Sequence, residues 1–206
     1  MLRNSFEWDL LMSGLFVCEL YIPIVVIFIV ASKGYISIST LIRPIYDFIN
    51  DYRDMYDGIV ILCIGSDRST GDSLGPLVGY KLQSKQLFGT IVYGSLNYPV
   101  HALNLDDIIK EIHLNHPHSL VIAIDASTGS KNHIGYITLT KGPLRPGLAV
   151  RKNLKPIGHI CITGIVNIQS VMNHMILQTT RLSTVMNLAD SISNAIFNAC
   201  KTVTTN

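Results

Sequence analysis

The chain has 206 residues and a mass of 22.8 kDa, which suits one domain of about 150 to 170 residues with an additional segment and leaves too little for two full domains. With 48% hydrophobic and 15% charged residues, it has the composition of a packed globule rather than of a disordered chain. The formal charge is only +2, and the tightest basic cluster is Arg145, Arg151, Lys152 and Lys155, so charge gives no reason to expect nucleic acid as a partner.

The first feature along the chain is residues 14–31, GLFVCELYIPIVVIFIVA, nearly long enough to cross a bilayer but interrupted by Glu19 and Pro23. Any membrane contact is expected through this stretch alone. Glu7 and Asp9 beside Arg3 give the wrong charge for a signal-peptide start, although Val-Ala-Ser at 30–32 loosely resembles a cleavage site. If the stretch does span, Lys33 and Arg43 orient its C-terminal side, and the domain with it, toward the cytoplasm. Residues 1–38 are therefore set apart as a hydrophobic N-terminal extension, an anchor or a non-native start, and residues 39–206 as the domain.

Over residues 40–56, Leu41, Ile45, Phe48, Ile49 and Tyr52 recur at helical spacing between Asp47, Asp51, Arg53 and Asp54, predicting an amphipathic helix. Residues 58–65, GIVILCIG, are a continuous apolar run between glycines, as expected of a central strand buried on both faces. A short strand is predicted at 90–93. A helix is predicted at 103–115 with Leu105, Ile108, Ile109 and Ile112 on one face, followed by a second buried strand, LVIAI, at 120–124. This strand, helix, strand rhythm favours a right-handed parallel crossover. Residues 133–140 alternate as an antiparallel or edge strand, 157–163 supply the last strand, and 166–178 and 182–200 read as helices broken near Thr179 and Thr180. The expected fold class is α/β, a three-layer α/β/α sandwich around a mostly parallel sheet of about five strands. Cys18, Cys63, Cys161 and Cys200 are widely spaced with no CxxC motif, and Cys63 and Cys161 fall in apolar strands, as structural thiols in a reducing compartment would.

In open α/β sheets, function concentrates where loops leave the carboxyl ends of parallel strands. After IVILCI comes GSDRSTGDSLGP, with Asp67 and Asp72; after LVIAI comes DASTGS, with Asp125. If the two strands are neighbours about 5 Å apart, Asp72 and Asp125 face each other across a few ångströms. Paired carboxylates cannot both ionise easily, so they share a proton, one acting as general base on water and the other as acid on the leaving group. That chemistry hydrolyses a peptide without a metal. Asp67 and Arg68 are second-choice site residues, since an Arg beside two acids could keep one ionised; Ser66, Ser69, Thr70 and Ser127 would supply hydrogen bonds in the same crevice. A helix-capping role competes for Asp72, which precedes the helical SLGPLVGYKL.

Three rival motifs pass through the same residues. Residues 71–75, GDSLG, match G-x-S-x-G, with Ser73 as nucleophile and Asp125 and His159 in order behind it, but Ser73 stands several residues past its strand rather than on the turn directly after it. A phosphate-binding loop fails because Asp72 occupies the lysine position. A metal would want Asp72, Asp125 and one of His101, His159 or His174, and no H-x-x-x-H pair exists. His113, His116 and His118 precede their strand and belong at the opposite edge of the sheet.

Taken together, GSDRSTGDSLGP, VIAIDAS and HICITGIVN resemble the YyaC-type sporulation proteins of spore-forming bacteria, which are similar to the germination protease that degrades small acid-soluble spore proteins. The resemblance runs from about residue 59 to 198. It implies that Asp72, in DSLGP, and Asp125, in AIDA, correspond to that protease's two catalytic aspartates. The hydrogenase maturation peptidases share the fold, and Asp72 and Asp125 resemble the first two of their metal ligands. No histidine here sits in a matching motif, which favours the metal-free reading. Residues 142–154, GPLRPGLAVRKNL, resemble the protease's Pro-Gly-rich basic stretch near the cleft. The chain lacks the insertions that shape the protease's substrate groove, and residues before about 38 have no counterpart. The implied function is a sporulation-associated peptidase acting on a protein or peptide substrate in the cytoplasm of the forespore or spore core, with no cofactor; a homo-oligomer is compatible. The alternatives, in order, are a non-catalytic sporulation binding protein, a metal-dependent maturation-type endopeptidase, and an esterase using Ser73.

Overall fold

The computed structural model describes residues 26–29, 38–85, 87–144, 156–170 and 172–205. Its elements in order are β1 (Val26–Ile29), α1 (Ile38–Asn50), β2 (Gly58–Cys63), a 3-10 turn (Gly71–Ser73) running into α2 (Leu74–Gln83), β3 (Thr90–Tyr93), α3 (Leu105–Asn115), β4 (Ser119–Gly129), a 3-10 turn (Lys131–His133), β5 (Ile137–Lys141), β6 (Ile160–Ile168), α4 (Asn173–Gln178) and α5 (Leu182–Thr205).

The strands form one sheet in the order β1-β5-β6-β4-β2-β3. β3, β2, β4 and β6 run parallel; β5 is antiparallel to β6, and β1 to β5. The alternation of side chains splits the core in two. Ile61, Cys63, Leu120, Ile122 and Ile124 point to the face packed by α1, α2 and α5, through residues such as Leu41, Ile45, Val78, Ile192 and Ile196. Val60, Leu62, Ile64 and Val121 point to the other face, where Leu105, Ile109 and Ile112 of α3 cover them. The three-layer α/β/α sandwich expected from the sequence is therefore observed. The chain leaves β2 for β3 through α2, then returns past β2 to β4 through α3. The crossovers move in opposite directions on opposite faces, as a common right-handed sense requires. Strand order reverses between β2 and β4, and in such sheets that reversal opens a crevice at the carboxyl ends of the two strands.

Several element boundaries differ from the sequence-based expectation. The first helix ends at Asn50, after which Tyr52, Arg53 and Met55 donate to carbonyls only three residues back and tighten the chain into turns. The apolar stripe expected on it is observed: Leu41, Ile45, Phe48 and Ile49 are buried. β4 does not stop at Ile124 but continues through Gly129, so Asp125 lies inside a strand rather than in the loop after one. β6 likewise runs on to Ile168, so that Val166, expected in a helix, is a buried strand residue. The cause is mutual: the two strands pair in parallel from Ile122↔Ile160 to Gly129↔Ile168, and each supplies the partner the other needs to remain extended.

Within residues 14–31, the stretch considered for membrane contact, Val26–Ile29 forms β1 and pairs with Ile137–Thr140, so the sheet takes in four residues that composition set apart from the domain. Residues 14–25 lie outside the described residues, as do 145–155, which contain most of the Pro-Gly-rich basic stretch. Among the described residues, no helix is long and apolar enough to cross a membrane. Cys63, Cys161 and Cys200 are buried and in no disulfide among the described residues, and burial pushes the Cys161 and Cys200 thiols up to about 12, as inert structural thiols.

Candidate functional site

Asp72 reaches the crevice because the loop after β2 doubles back on itself. Gly65 has a φ of 141°, and the Ser66 amide donates to the Asp72 carbonyl at 3.1 Å. A side chain at 65 would overlap that same carbonyl, so only glycine lets the loop close here. α2 then packs backbone to backbone on the end of β2: a Cβ on Gly75 would run into the Ile64 carbonyl. This fixes the start of α2, and with it the turn carrying Asp72, over the carboxyl end of β2. On the far side of that turn, Asn167 Nδ2 donates to the Ile176 carbonyl and to Thr180 Oγ1, both at 3.0 Å, and ties α4 to β6.

Asp125 is placed by register. β2 pairs with β4 only up to Cys63↔Ile124, and the Ile64 amide donates to the Ile124 carbonyl at 2.8 Å; Ile64 itself then bridges to Val100. Asp125 is thus the first residue of β4 with no strand on its β2 side. By alternation it belongs to the α3 face, while α2 packs on the other, so the two acids can meet only around the end of β2. They do interact. Burial first, and then the charge of Asp72, raise Asp125 to about 8, against a smaller opposing effect from the Ala126 amide, which donates to Asp125 Oδ1 at 2.8 Å. The residue keeps some accessible surface although its carboxyl is enclosed.

The remaining candidates divide. Asp67 and Arg68 are exposed and form no ion pair among the described residues, so neither is placed to set the charge of the acids. Ser66 Oγ accepts from the Arg68 amide at 3.3 Å, a bond internal to the loop. The Thr70 carbonyl accepts from Ser73 Oγ at 2.7 Å. Ser69 Oγ is buried with no hydrogen-bond partner among the described residues. Ser127 is on the same face as Asp125, two residues further along β4, and its Oγ lies 3.4 Å from the Gly164 carbonyl and 3.5 Å from Thr163 Oγ1.

The rival arrangements do not assemble. Ser73 is buried with its hydroxyl turned into its own turn. His159 Nδ1 accepts from the Val121 amide at 2.9 Å, at the end of β4 opposite Asp125, so no Ser73–Asp125–His159 triad exists. His101 follows Val100 and therefore stands at the same end of the sheet as the acids; its Nδ1 accepts from the Leu103 amide at 3.3 Å. Among the described residues, no three His, Cys, Asp or Glu side chains are grouped to hold a metal ion. Residues that reading the sequence missed are Thr138 and Thr163. Thr163 pairs with Asp125 in register and Thr138 with Thr163, which places all three on one face of three adjacent strands. Only the lengthened β4–β6 pairing reveals that neighbourhood.

Comparison with known proteins gives three findings. A family model described as "Protein of unknown function (DUF1256)" matches residues 30–195. The "Uncharacterized protein YyaC" of Bacillus subtilis (strain 168) is 49% identical over 138 residues, 67% of this chain and 67% of that protein. Among solved structures, a [NiFe] hydrogenase maturation protease, HycI from Thermococcus kodakarensis KOD1, aligns with a TM-score of 0.42 and 17% identity, over 72% of this chain and 97% of that one.

Proposed function

The chain belongs to the DUF1256 family, and from that premise we propose that it is a metal-independent peptidase of the sporulation programme, cleaving a protein substrate in the cytoplasm of the developing or germinating spore. The observation that carries this reading is the meeting of two acids from different layers at the crevice between β2 and β4, where burial first and the charge of Asp72 second raise Asp125 enough to keep it protonated near neutrality. The resemblance of DSLGP and AIDA to the germination protease supports it.

In the reaction, ionised Asp72 takes a proton from a water held between the two carboxyls as the water oxygen bonds to the scissile carbonyl carbon. The carbonyl electron pair moves onto its oxygen. Asp125 then gives its proton to the amide nitrogen as the C–N bond breaks, leaving a carboxylic acid and an amine. The products carry away the elements of one water, and the proton that Asp72 took passes to Asp125, directly or by exchange with solvent, which restores both acids.

Asp72→Asn and Asp125→Asn should each abolish cleavage while leaving the circular dichroism spectrum unchanged. The check is incubation with acid-soluble protein extracted from bacterial spores, with fragments read by mass spectrometry; full activity in both variants ends the aspartate reading. Because Asp125 must be protonated to act as acid, activity should fall on the alkaline side through about pH 8. Absence of cleavage together with stable co-purification of a spore protein would instead support a binding role.

A further inference from the structure

Beside Asp125, three hydroxyls form a row across β4, β6 and β5. Thr138 Oγ1 and Thr163 Oγ1 are 2.6 Å apart, a short bond that uses one of their two hydrogens. Ser127 spends its own hydrogen on the Gly164 carbonyl or on Thr163. Counting donors, one threonine hydrogen is left over. With Thr138 as the donor of that bond the spare hydrogen is on Thr163, and Ser127 Oγ, 3.5 Å from Thr163 Oγ1, stands at the outer limit of a hydrogen bond. Thr163 and Thr138 are both only partly buried, so a ligand can reach the pair. Parallel strands stand about 4.8 Å apart, so a carboxyl at 125 and a hydroxyl at 163 can touch the same atom or adjacent atoms of one substrate group.

We propose that Thr163, oriented by Thr138, is a further catalytic residue: its spare hydroxyl hydrogen binds the scissile carbonyl oxygen and stabilises the negative charge that develops there as water adds. This rests on the peptidase reading above and completes it. The two acids account for the protons on water and on the leaving nitrogen but offer nothing to the carbonyl oxygen, where the electron pair goes. A donor aimed at that oxygen gains strength as charge builds, which lowers the barrier more than it tightens ground-state binding. No proton is transferred from Thr163. The Thr138–Thr163 bond keeps the donor in place before substrate arrives, so little reorientation is needed during the reaction.

The test uses a synthetic peptide spanning the cleavage site mapped in the spore-protein extract. Thr163→Val, which keeps shape and removes the hydroxyl, should lower kcat about 100-fold with KM changed little. Thr163→Ser should restore most of kcat, and the thermal midpoints of the three proteins should stay within a few degrees. Thr138→Val should fall between wild type and Thr163→Val, since it orients the donor without supplying it. Unchanged kcat in Thr163→Val, or no rescue by serine, overturns the proposal while cleavage by the wild type and its loss in Asp125→Asn leave the peptidase reading standing. Failure of the wild type to cleave any protein in the extract removes both.

Discussion

A carboxyl enclosed beside a second acid keeps its proton well above the usual carboxylate range, and keeping it that way costs the folded protein stability. Asp125 titrates near 3.8 in an unfolded chain and about 8 here. Its contribution is fully present below pH 3.8 and is lost as pH rises through 8, because the unfolded state releases this proton first. Asp125→Asn cannot ionise and can still accept from the Ala126 amide through its side-chain oxygen. It should therefore match the wild type near pH 4 and exceed it progressively toward pH 8, by about 2 kcal/mol, a figure well below the full shift because the residue keeps contact with solvent. Urea unfolding at pH 4, 6 and 8 measures this, and a gap that does not widen with pH would contradict the assignment. On the proposed mechanism the same substitution should also abolish activity, which would make the residue that limits stability the one the proposed chemistry needs.

At the scale of elements, the site depends on how closely α2 lies on β2. Gly75 is small because the Ile64 carbonyl occupies the space a side chain would take. Gly75→Ala should cost about 3 kcal/mol, the upper range for overpacking, since the obstructing atom is backbone, held just past the end of β2 by the Ile64 amide's bond to the Ile124 carbonyl. It should also lower activity more than the stability loss explains, because the start of α2 carries Asp72. Urea denaturation and cleavage rates measured on the folded fraction check both. The helix boundaries, by contrast, have little bearing on function. The first helix ends six residues before the expected one, yet buries Leu41, Ile45, Phe48 and Ile49, because these apolar positions all precede its end.

At the scale of the whole molecule, the sheet ends in β3 on one side and β1 on the other, and β1 covers the edge of β5, leaving only a four-residue edge strand in its place. An uncovered strand edge presents a row of unpaired amides and carbonyls that recruits another chain. Deleting residues 1–37 removes β1 and should give concentration-dependent association in light scattering, whereas a deletion ending before Val26 should not. Equal behaviour of the two truncations would mean that the β1–β5 pairing contributes nothing to protecting that edge.

The sequence by itself determined the layers and offered two acids as candidates for the chemistry. Continuous apolar runs at 58–65 and 120–124 and the helical stripes between them arise from side-chain periodicity, which is local, and an acid following each run is read directly from the chain. The motifs around Asp72 and Asp125 were legible for the same reason. Tertiary structure alone decided how far β4 and β6 pair beyond β2, which faces of the sheet Asp125 and α2 occupy, and which of the nearby polar residues stand beside the acids. Asp67 and Arg68 are neighbours of Asp72 in sequence and lie in solvent, while Thr163, 38 positions after Asp125, is its neighbour across the sheet. Strand register and the distance between layers are set by the packing of segments remote in sequence, and no local pattern of residues encodes them.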